Sequence, residues 1–398
     1  MSRPASRFAR LVLVVALGSS AFACGRKNAG PTSPPVSVAG SEADMQDPQS
    51  RPNTNVNAPP PQTPTQTGGT KVDADRTIGG AQVLGNLAIY PITSKSQTDV
   101  GPLVLLDDAL AKGDAVVREK DASGSVNTLV IENKAATPIF VLAGTIVKGG
   151  KQDRQIGQDF IIGGKDTTPV DAFCVEHGRW NAAREGQATG NVFKTSDTIT
   201  TSKVRAAGQY KKDQSEVWSK VSESNQTHKK SSASDTFLAT VDDAQVTKQR
   251  NELAAKIMAV LDGVKPGDDV VGVAYAIDGQ AKGARWFTHH KVFTMVEKKL
   301  ASGIALEAIS QKAEAEARGE KPGTKPAPTA QAVDSFIKEV QDQAVKERRD
   351  TAAENVNDYR ESSKGYGSST MMKPAAKSGS PRAPAPAAKP VSVDVLAK

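Results

Sequence analysis

Short apolar runs at intervals of about ten residues mark the chain between residues 83 and 178. The runs are VLGNLAIYPI, AVVRE, NTLVIEN, PIFVLAGTIV, DFIIGG and TPVDAFCVEHG, and Ser-Gly or Ala-Thr-Pro turns separate several of them. This pattern predicts short antiparallel strands that form a β-sandwich or a barrel-like lobe. The first strand is expected to end at Pro91, and the segment PLVLLDDALAKG (102–113) predicts a short helix that ends at Gly113.

From residue 203 onward, the apolar residues recur at the spacing of helices. Helices are predicted over 203–223, 242–263, 290–318 and 331–349. Before the third of these helices, DVVGVAYAIDGQAKGARWFT predicts a β-hairpin that turns at Asp278-Gly279. The whole pattern predicts an α+β fold, with a β-rich N-terminal lobe over 78–180 and helices with a late β-hairpin over 203–370.

Both ends of the chain have a different composition. Residues 24–75 are rich in Pro, Gly, Ser, Thr and Asn, and residues 373–398 are rich in Pro, Ala and Lys. Such segments bury too little apolar surface to offset the entropy lost on ordering, so a disordered linker and a disordered tail are predicted. One folded domain is therefore expected over 76–372.

The first 23 residues have the features of a signal peptide. Three arginines precede the apolar run LVLVVALG, and Ala-Phe-Ala stands directly before Cys24. A cysteine at this position resembles the lipobox of bacterial lipoproteins, so we expect the protein to be exported and anchored by a lipid on Cys24 at the periplasmic face of the cell envelope. The alternative is ordinary cleavage after Ala23, which would give a secreted protein.

The distribution of charge argues against one class of partner. The chain carries a formal net charge of +7, but residues 76–372 hold 39 basic and 38 acidic side chains, a difference of +1. A nearly neutral domain does not predict nucleic-acid binding. No spacing typical of zinc ligands and no phosphate-binding glycine motif occurs, so no metal and no cofactor is predicted.

Two polar segments, GGKQDR (149–154) and CVEHGRW (174–180), are the candidate site. Strand alternation places Cys174 and Glu176 on one face, where Glu176 would be a buried carboxylate that needs a cationic or hydrogen-bonding partner. The candidate partners are Lys151, Gln152, Arg154 and Arg179. The residues allow two interpretations: an internal ion-pair network, or a cationic pocket for a phosphate or carboxylate.

Two further candidates have a simpler interpretation. Cys174 would suit nucleophilic chemistry if a neighbouring group lowered its pKa, but a small buried apolar role is favoured because a carboxylate beside the thiol opposes ionisation. His289 and His290 form either a ligand pair or the start of a helix, and the helix start is favoured.

The quoted segments, with QSEVWSKV and VVGVAYAIDGQAKGARWF further on, resemble the ARG and rhodanese-phosphatase-superfamily-associated protein domain over roughly residues 78–370. Asp153 and His177 stand where that family often has Asn and Gln. The resemblance implies an α+β domain of unestablished biochemistry and a nucleotide or ADP-ribose-like ligand. The matching polar positions are Lys151, Gln152, Arg154, Cys174, Glu176, Arg179 and Trp180.

The functional expectation combines these observations. An exported, lipid-anchored domain is expected to bind an anionic ligand, such as a nucleotide, an ADP-ribose-like molecule or a sugar phosphate. Its predicted ligand-binding residues are Lys151, Gln152, Arg154, Arg179 and Trp180, and its candidate catalytic residues are Glu176 and Cys174. The alternative is a non-enzymatic scaffold or interaction lipoprotein of the cell envelope.

Overall fold

The structure is a computed structural model that describes residues 70–71, 75–121, 124–184, 187–190, 193–264, 269–374 and 387–398. The predicted signal peptide, Cys24 and nearly all of the predicted linker lie outside these ranges. The described residues belong to one compact unit, Gln62–Lys398.

The described part of the chain forms helices α1 to α7 and strands β1 to β21. The helices are α1 Leu106–Lys112, α2 Ser202–Gln209, α3 Gln214–Thr227, α4 Leu238–Val241, α5 Ala244–Asp262, α6 His290–Ala317 and α7 Ala330–Asp342. The first eleven strands are β1 Thr70–Lys71, β2 Arg76–Ile78, β3 Gln82–Leu84, β4 Leu87–Ser94, β5 Val104–Leu105, β6 Ala115–Glu119, β7 Thr128–Asn133, β8 Ile139–Val141, β9 Thr145–Gly149, β10 Arg154–Ile156 and β11 Phe160–Ile162. The others are β12 Thr167–Cys174, β13 Ala183–Arg184, β14 Gln187–Ala188, β15 Phe193–Ile199, β16 Val270–Ile277, β17 Gln280–Phe287, β18 Lys346–Ala352, β19 Asn355–Glu361, β20 Gly365–Met372 and β21 Lys389–Ala397.

The largest sheet joins segments that are far apart in the sequence. Its ten strands follow the order β1-β2-β4-β16-β17-β21-β20-β19-β18, and β3 pairs with β4. The predicted hairpin is confirmed as β16 and β17, with Asp278 and Gly279 both at positive φ as a two-residue turn requires. The expectation that Pro91 ends the first strand is wrong, because β4 continues through Pro91 to Ser94.

The β-rich lobe forms two smaller sheets. Six strands follow the order β15-β9-β10-β12-β7-β6, and three follow the order β11-β8-β5. Almost all pairings are antiparallel, and β5 with β8 is a parallel exception. The structure is therefore α+β with mostly antiparallel sheets, as predicted. The lobe differs from the prediction in one respect: β2, β3 and β4 pair within the ten-stranded sheet and with its late hairpin.

The helices agree with the apolar spacing except where polar residues interrupt it. The helix predicted over 203–223 is two helices, α2 and α3, because Lys212 takes a positive φ and Asp213 caps α3 through Glu216 N. His289 caps α6, which confirms the helix start. The helix predicted over 331–349 ends at Asp342, and residues 346–372 form the meander β18 to β20. No described helix has an apolar stretch long enough to cross a bilayer.

The C-terminal segment corrects a second prediction. Residues 389–397, assigned to a disordered tail, form β21 between β17 and β20. The strand is ordered because its alternating residues have a place to be buried: Val391 and Val395 are fully buried in two separate clusters of the core. Residues 375–386 of the predicted tail lie outside the described ranges.

Candidate functional site

The GGKQDR segment is the tight connection between β9 and β10. Arg154 begins β10 and is paired in register with Cys174 at the end of β12, which brings the two candidate segments together. Gly150 has a φ of 49°, and a Cβ on it would lie 2.2 Å from the Phe193 ring. Only glycine fits this turn, so the chain can fold back tightly enough to bring its polar side chains inside.

Arg179 connects the two segments through a saturated guanidinium group. Its Nε donates to Glu176 Oε1 at 2.9 Å, and its Nη2 donates to Glu176 Oε2 at 2.7 Å. Its Nη1 donates to the carbonyls of Gly150 and Asn181, each at 2.7 Å. Both Arg179 and Glu176 are buried. This bidentate pair is the geometry in which an arginine–carboxylate interaction is strongest.

Glu176 accepts further hydrogen bonds from its surroundings. The backbone N–H of Asp153 donates at 3.0 Å, and the Ser234 hydroxyl donates at 2.6 Å. Burial alone would raise the pKa of Glu176, but the hydrogen bonds from Arg179 and Ser234 outweigh burial and hold its pKa below the usual value. Glu176 is therefore an ionised carboxylate whose two oxygens are engaged by the protein, which is unfavourable for a general base.

Asp153 completes this group of residues. It is fully buried, and it accepts from Gly149 N at 3.1 Å and from the Thr236 hydroxyl at 2.9 Å. Its carboxylate also lies 3.8 Å from Arg179. We call Asp153, Glu176, Arg179, Ser234 and Thr236 the clamp network. The structure thus places Glu176 and Arg179 in a closed ion-pair network, the first of the two interpretations allowed by the sequence.

Cys174 lies beside the clamp network, and its thiol donates to the backbone carbonyl of Val126 at 3.5 Å. It is buried and has no disulfide partner. Burial raises the pKa of its thiol to about 11, so the thiol is protonated at neutral pH. Gln214 holds the backbone of Cys174 through two hydrogen bonds of 2.8 Å. These surroundings favour the interpretation of Cys174 as a small buried residue over that of a nucleophile.

Lys151 and Gln152 form the middle of the turn, where Lys151 is partly exposed and Gln152 is buried. The amide of Gln152 donates to the carbonyl of His177 at 3.2 Å, so it joins the two segments. The backbone N–H of Lys151 donates to Glu119 Oε1 at 3.0 Å, and its ammonium group lies 5.6 Å from the centre of the Trp180 ring. Lys151 is therefore the charged side chain of the turn that reaches the protein surface beside Trp180.

Arg154 differs from every other member of the predicted site. Its side chain is fully buried, and none of its three guanidinium nitrogens has a hydrogen-bond partner. The nearest acid is Glu119, at 3.8 Å, and the Trp180 ring lies 5.4 Å from the guanidinium carbon. Trp180 itself is 43% exposed. A buried charged donor without an acceptor is costly, more so than the about 1–3 kcal/mol of a neutral group.

Gly124 lies close to three of the side chains near Arg154. A Cβ on Gly124 would lie 3.2 Å from Lys151 Cδ and 3.4 Å from both Glu119 Oε2 and Trp180 Cζ2, so a larger residue at this position would crowd these side chains. Glu119 Oε2 is likewise buried without a hydrogen bond. We call Glu119, Gly124, Lys151, Arg154 and Trp180 the Trp180 site. It combines an unsatisfied cation with a half-exposed aromatic ring.

A second buried network was not predicted from the sequence. Arg285 Nη2 contacts both oxygens of Asp159 at 2.6 Å, and Arg205 Nη1 lies 3.1 Å from Asp394. Arg285 Nη1, 3.9 Å from Asp394, connects the two pairs. Burial raises the pKa of Asp159, but the charge of Arg285 outweighs it and leaves the pKa below the usual value. The only sequence signal was a charged residue inside each of the apolar runs GARWF and SVDVL.

The described chain thus forms an α+β domain that contains two networks of charged, buried side chains, the clamp network and the network of Arg285 and Asp159. The model of the ARPP-1 family, the ARG and Rhodanese-Phosphatase-superfamily-associated Protein domain, matches residues 75–377, and the chain belongs to this family. The resemblance inferred from the GGKQDR and CVEHGRW motifs is thereby confirmed. No curated protein and no solved structure matches the chain.

Proposed function

We propose that this protein is an exported, lipid-anchored binding protein, and that its domain recognises an anionic small molecule with Arg154 as the principal anchor. The observation that carries the proposal is the buried guanidinium of Arg154, which has no hydrogen-bond partner. A guanidinium presents a fork of donors that matches phosphate or carboxylate oxygens. An anion bound to Arg154 would supply the hydrogen-bond acceptors that the protein does not provide.

Trp180 and Lys151 give the site its entrance. The Trp180 ring lies over Arg154 and is half-exposed, so its movement opens a path from solvent to the guanidinium. The Lys151 ammonium lies against the same ring and adds positive charge at the entrance. A ligand with a phosphate and a flat or sugar ring would place the phosphate on Arg154 and the ring against Trp180. Nucleotides, ADP-ribose-like molecules and sugar phosphates all have this form.

The surroundings of the site support binding without chemistry. The carboxylate of Glu176 is engaged by Arg179, Ser234 and the Asp153 backbone, and the Cys174 thiol is protonated. In this proposal a lipid on Cys24 anchors the chain, and the segment 24–75 would hold the domain away from the periplasmic face of the membrane. Binding at the envelope is therefore the activity we assign to the domain.

Thermal unfolding of the whole chain in detergent tests the ligand. We expect one or more of ADP-ribose, nucleotides and sugar phosphates to raise the melting temperature, because a ligand at 1,000 times its Kd adds about 4 kcal/mol to stability. Arg154→Gln is expected to fold and to lose this gain. Arg349→Gln is the matched control, because Arg349 is 71% exposed and pairs with Asp358 at the protein surface. A full gain in Arg154→Gln, or no gain with any ligand, refutes the proposal.

Labelling of growing cells with an alkyne-palmitate tests the anchor separately. We expect the protein to carry the label and to fractionate with membranes, and Cys24→Ala to carry none. A wild-type chain that is found unlabelled in the soluble periplasmic fraction would refute the anchor and leave the ligand test intact.

The closed clamp network favours a second candidate, a non-enzymatic envelope scaffold. Arg179 donates to Glu176 and to two backbone carbonyls, which is what a purely structural motif requires. In a scaffold, Arg154 would be a further structural residue. Arg154→Gln would then lower the melting temperature without ligand, and no small anion would raise it.

A further inference from the structure

A cleft of about 660 Å³ lies on a part of the protein that the Trp180 site does not include. Helices α2, α3 and α6 form one side, and the β16–β17 hairpin with the ends of β20 and β21 forms the other. A volume between about 300 and 1,000 Å³ is typical of sites for small molecules. None of the residues of the Trp180 site lines this cleft.

Charged side chains of both signs line the cleft, with an excess of cations. The cationic residues are Lys203, Lys211, Lys220, Lys282, Arg318, Lys325 and Lys398, and the acidic residues are Glu216, Asp278, Glu307, Glu314 and Glu320. The ligand that the cleft can take depends on which of these charges the protein already satisfies.

The acidic residues are all engaged by the protein. Glu314 pairs with Lys203 at 2.9 Å, Glu216 with Lys211 at 2.5 Å, and Glu320 with Arg318 at 2.7 Å. The backbone N–H of Gly323 donates to Asp278. Each of these carboxylates therefore has a cationic or N–H partner within the protein.

Glu307, at the floor of the cleft, is also satisfied. Ser202 donates to it through its backbone N–H and its hydroxyl, each at 2.7 Å, and the amide of Gln311 donates at 2.7 Å. Glu307 therefore caps the N-terminus of α2, whose positive end offsets its charge. It is a structural carboxylate and not an exposed anion facing a ligand.

Two of the cations have no acidic partner within salt-bridge distance in the described structure. Lys282 is half-buried on β17, and its ammonium donates to the neutral amide oxygen of Gln280 at 3.1 Å. Lys325 is exposed at the rim. Burial lowers the pKa of Lys282, and the charges of Glu307 and Glu314 offset this only in part, as expected of an ammonium group without a counter-ion within salt-bridge distance. Anionic oxygens placed in the cleft would provide that counter-ion.

We propose that this cleft is a second ligand site, and that it takes a small polyanion with phosphate or carboxylate groups. Lys282 contacts an anionic group inside the cleft, and Lys325 contacts another at its rim. The site is independent of the Trp180 site because the two share no residue.

Isothermal titration calorimetry on the whole chain in detergent tests this site with pyrophosphate and, separately, with citrate. We expect saturable binding of at least one probe, which distinguishes phosphate from carboxylate chemistry. Lys282→Gln is expected to weaken binding at least about tenfold, because it removes a hydrogen bond between charged groups. Lys282→Arg keeps the charge and is expected to retain most of the affinity.

Two control variants show whether binding is specific to this cleft. Lys248→Gln removes an exposed lysine of α5 that does not line the cleft, and it is expected to bind as the wild type does. The titrations are repeated in the Arg154→Gln background, which removes anion binding at the Trp180 site, and the binding that depends on Lys282 is expected to remain there. No binding of either probe, equal losses in the Lys282→Gln and Lys248→Gln variants, or a loss confined to Arg154→Gln would each overturn the proposal.

Discussion

The clamp network and the Trp180 site lie side by side, and each holds a buried arginine. Arg179 donates to Glu176 through two nitrogens and to two backbone carbonyls through the third. Arg154, which is even less exposed, donates to nothing and has one acid at 3.8 Å. The hydrogen-bond donors of one buried arginine are therefore satisfied, while those of its neighbour in space are not.

This difference separates a structural role from a binding role. A buried charge that is fully paired holds the fold together, and its removal leaves a carboxylate behind. A buried charge that makes no hydrogen bond stabilises the fold less than a fully paired one, which leaves room for a role outside folding. The ligand proposed above would account for both the unsatisfied guanidinium of Arg154 and the aromatic ring above it.

The largest expected effect is that of Arg179→Gln. It leaves Glu176 and Asp153 buried without their cation, so we expect a loss of about 3–5 kcal/mol in the free energy of unfolding. Arg154→Gln is expected to change the same quantity by about 1 kcal/mol, because the loss of the long contact with buried Glu119 is offset by removal of a buried cation that makes no hydrogen bond. Urea unfolding of both variants measures the comparison. Equal losses would show that the two arginines have the same structural role.

Glu176→Gln is expected to lower the free energy of unfolding by about 2 kcal/mol at pH 7, because the variant keeps some hydrogen bonds but loses the charge. The pKa of Glu176 is lower in the folded state than in the unfolded chain. The contribution of the Glu176 charge to the free energy of unfolding is therefore complete above the unfolded pKa of about 4.3. It disappears as the pH falls through the lower pKa of the folded state. The difference between wild type and variant should thus shrink below about pH 4. A difference that stays constant down to about pH 2 contradicts this assignment.

Trp180→Ala tests the role of the aromatic ring in the Trp180 site. The ring is 43% exposed, so we expect a loss of less than about 1 kcal/mol in stability. We expect a clear loss of the ligand-induced rise in melting temperature, because a stacking surface is removed. Trp180→Phe, which keeps an aromatic ring, should restore part of that rise. If both variants respond fully to the ligand, the ring has no part in binding.

The smallest expected signal is the labelling of Cys174 by iodoacetamide. Cys174 pairs in register with Arg154, so its accessibility reports how far the strands around the site open. The thiol is buried and its pKa is raised to about 11, so the native protein should not react within hours, while the protein in urea should react at once. Rapid labelling of the native protein would mean that the region opens well beyond the movement of Trp180.

The features predicted correctly from the sequence are those set by neighbouring residues. The apolar spacing of α5 and α6, the Asp278-Gly279 turn and the glycine after α1 act over a few positions. The meander of β18 to β20 was not predicted because its segments KERRDTA and NVNDYRE are mostly charged and polar, and pairing within the sheet overrides that composition.

The candidate site was predicted in part. The GGKQDR and CVEHGRW segments do meet, and Glu176 does have Arg179 as its partner, since the two lie close in sequence. The contribution of Ser234 and Thr236, and the unsatisfied state of Arg154, depend on contacts between distant residues. The alternation of Val391, Val393 and Val395 was a sufficient signal for β21, but the Pro, Ala and Lys before it masked that signal.

The position of β21 has a consequence for the order in which the protein can fold. This strand follows every other described element in the chain, yet it lies inside the ten-stranded sheet between β17 and β20. Until β21 is synthesised, β17 and β20 each have an unpaired edge, and Arg285 lacks its contact with Asp394. The two parts of the ten-stranded sheet that β21 joins therefore cannot come together before β21 has been synthesised. That delay suits the export proposed above, in which the chain crosses a membrane unfolded and acquires its structure on the other side.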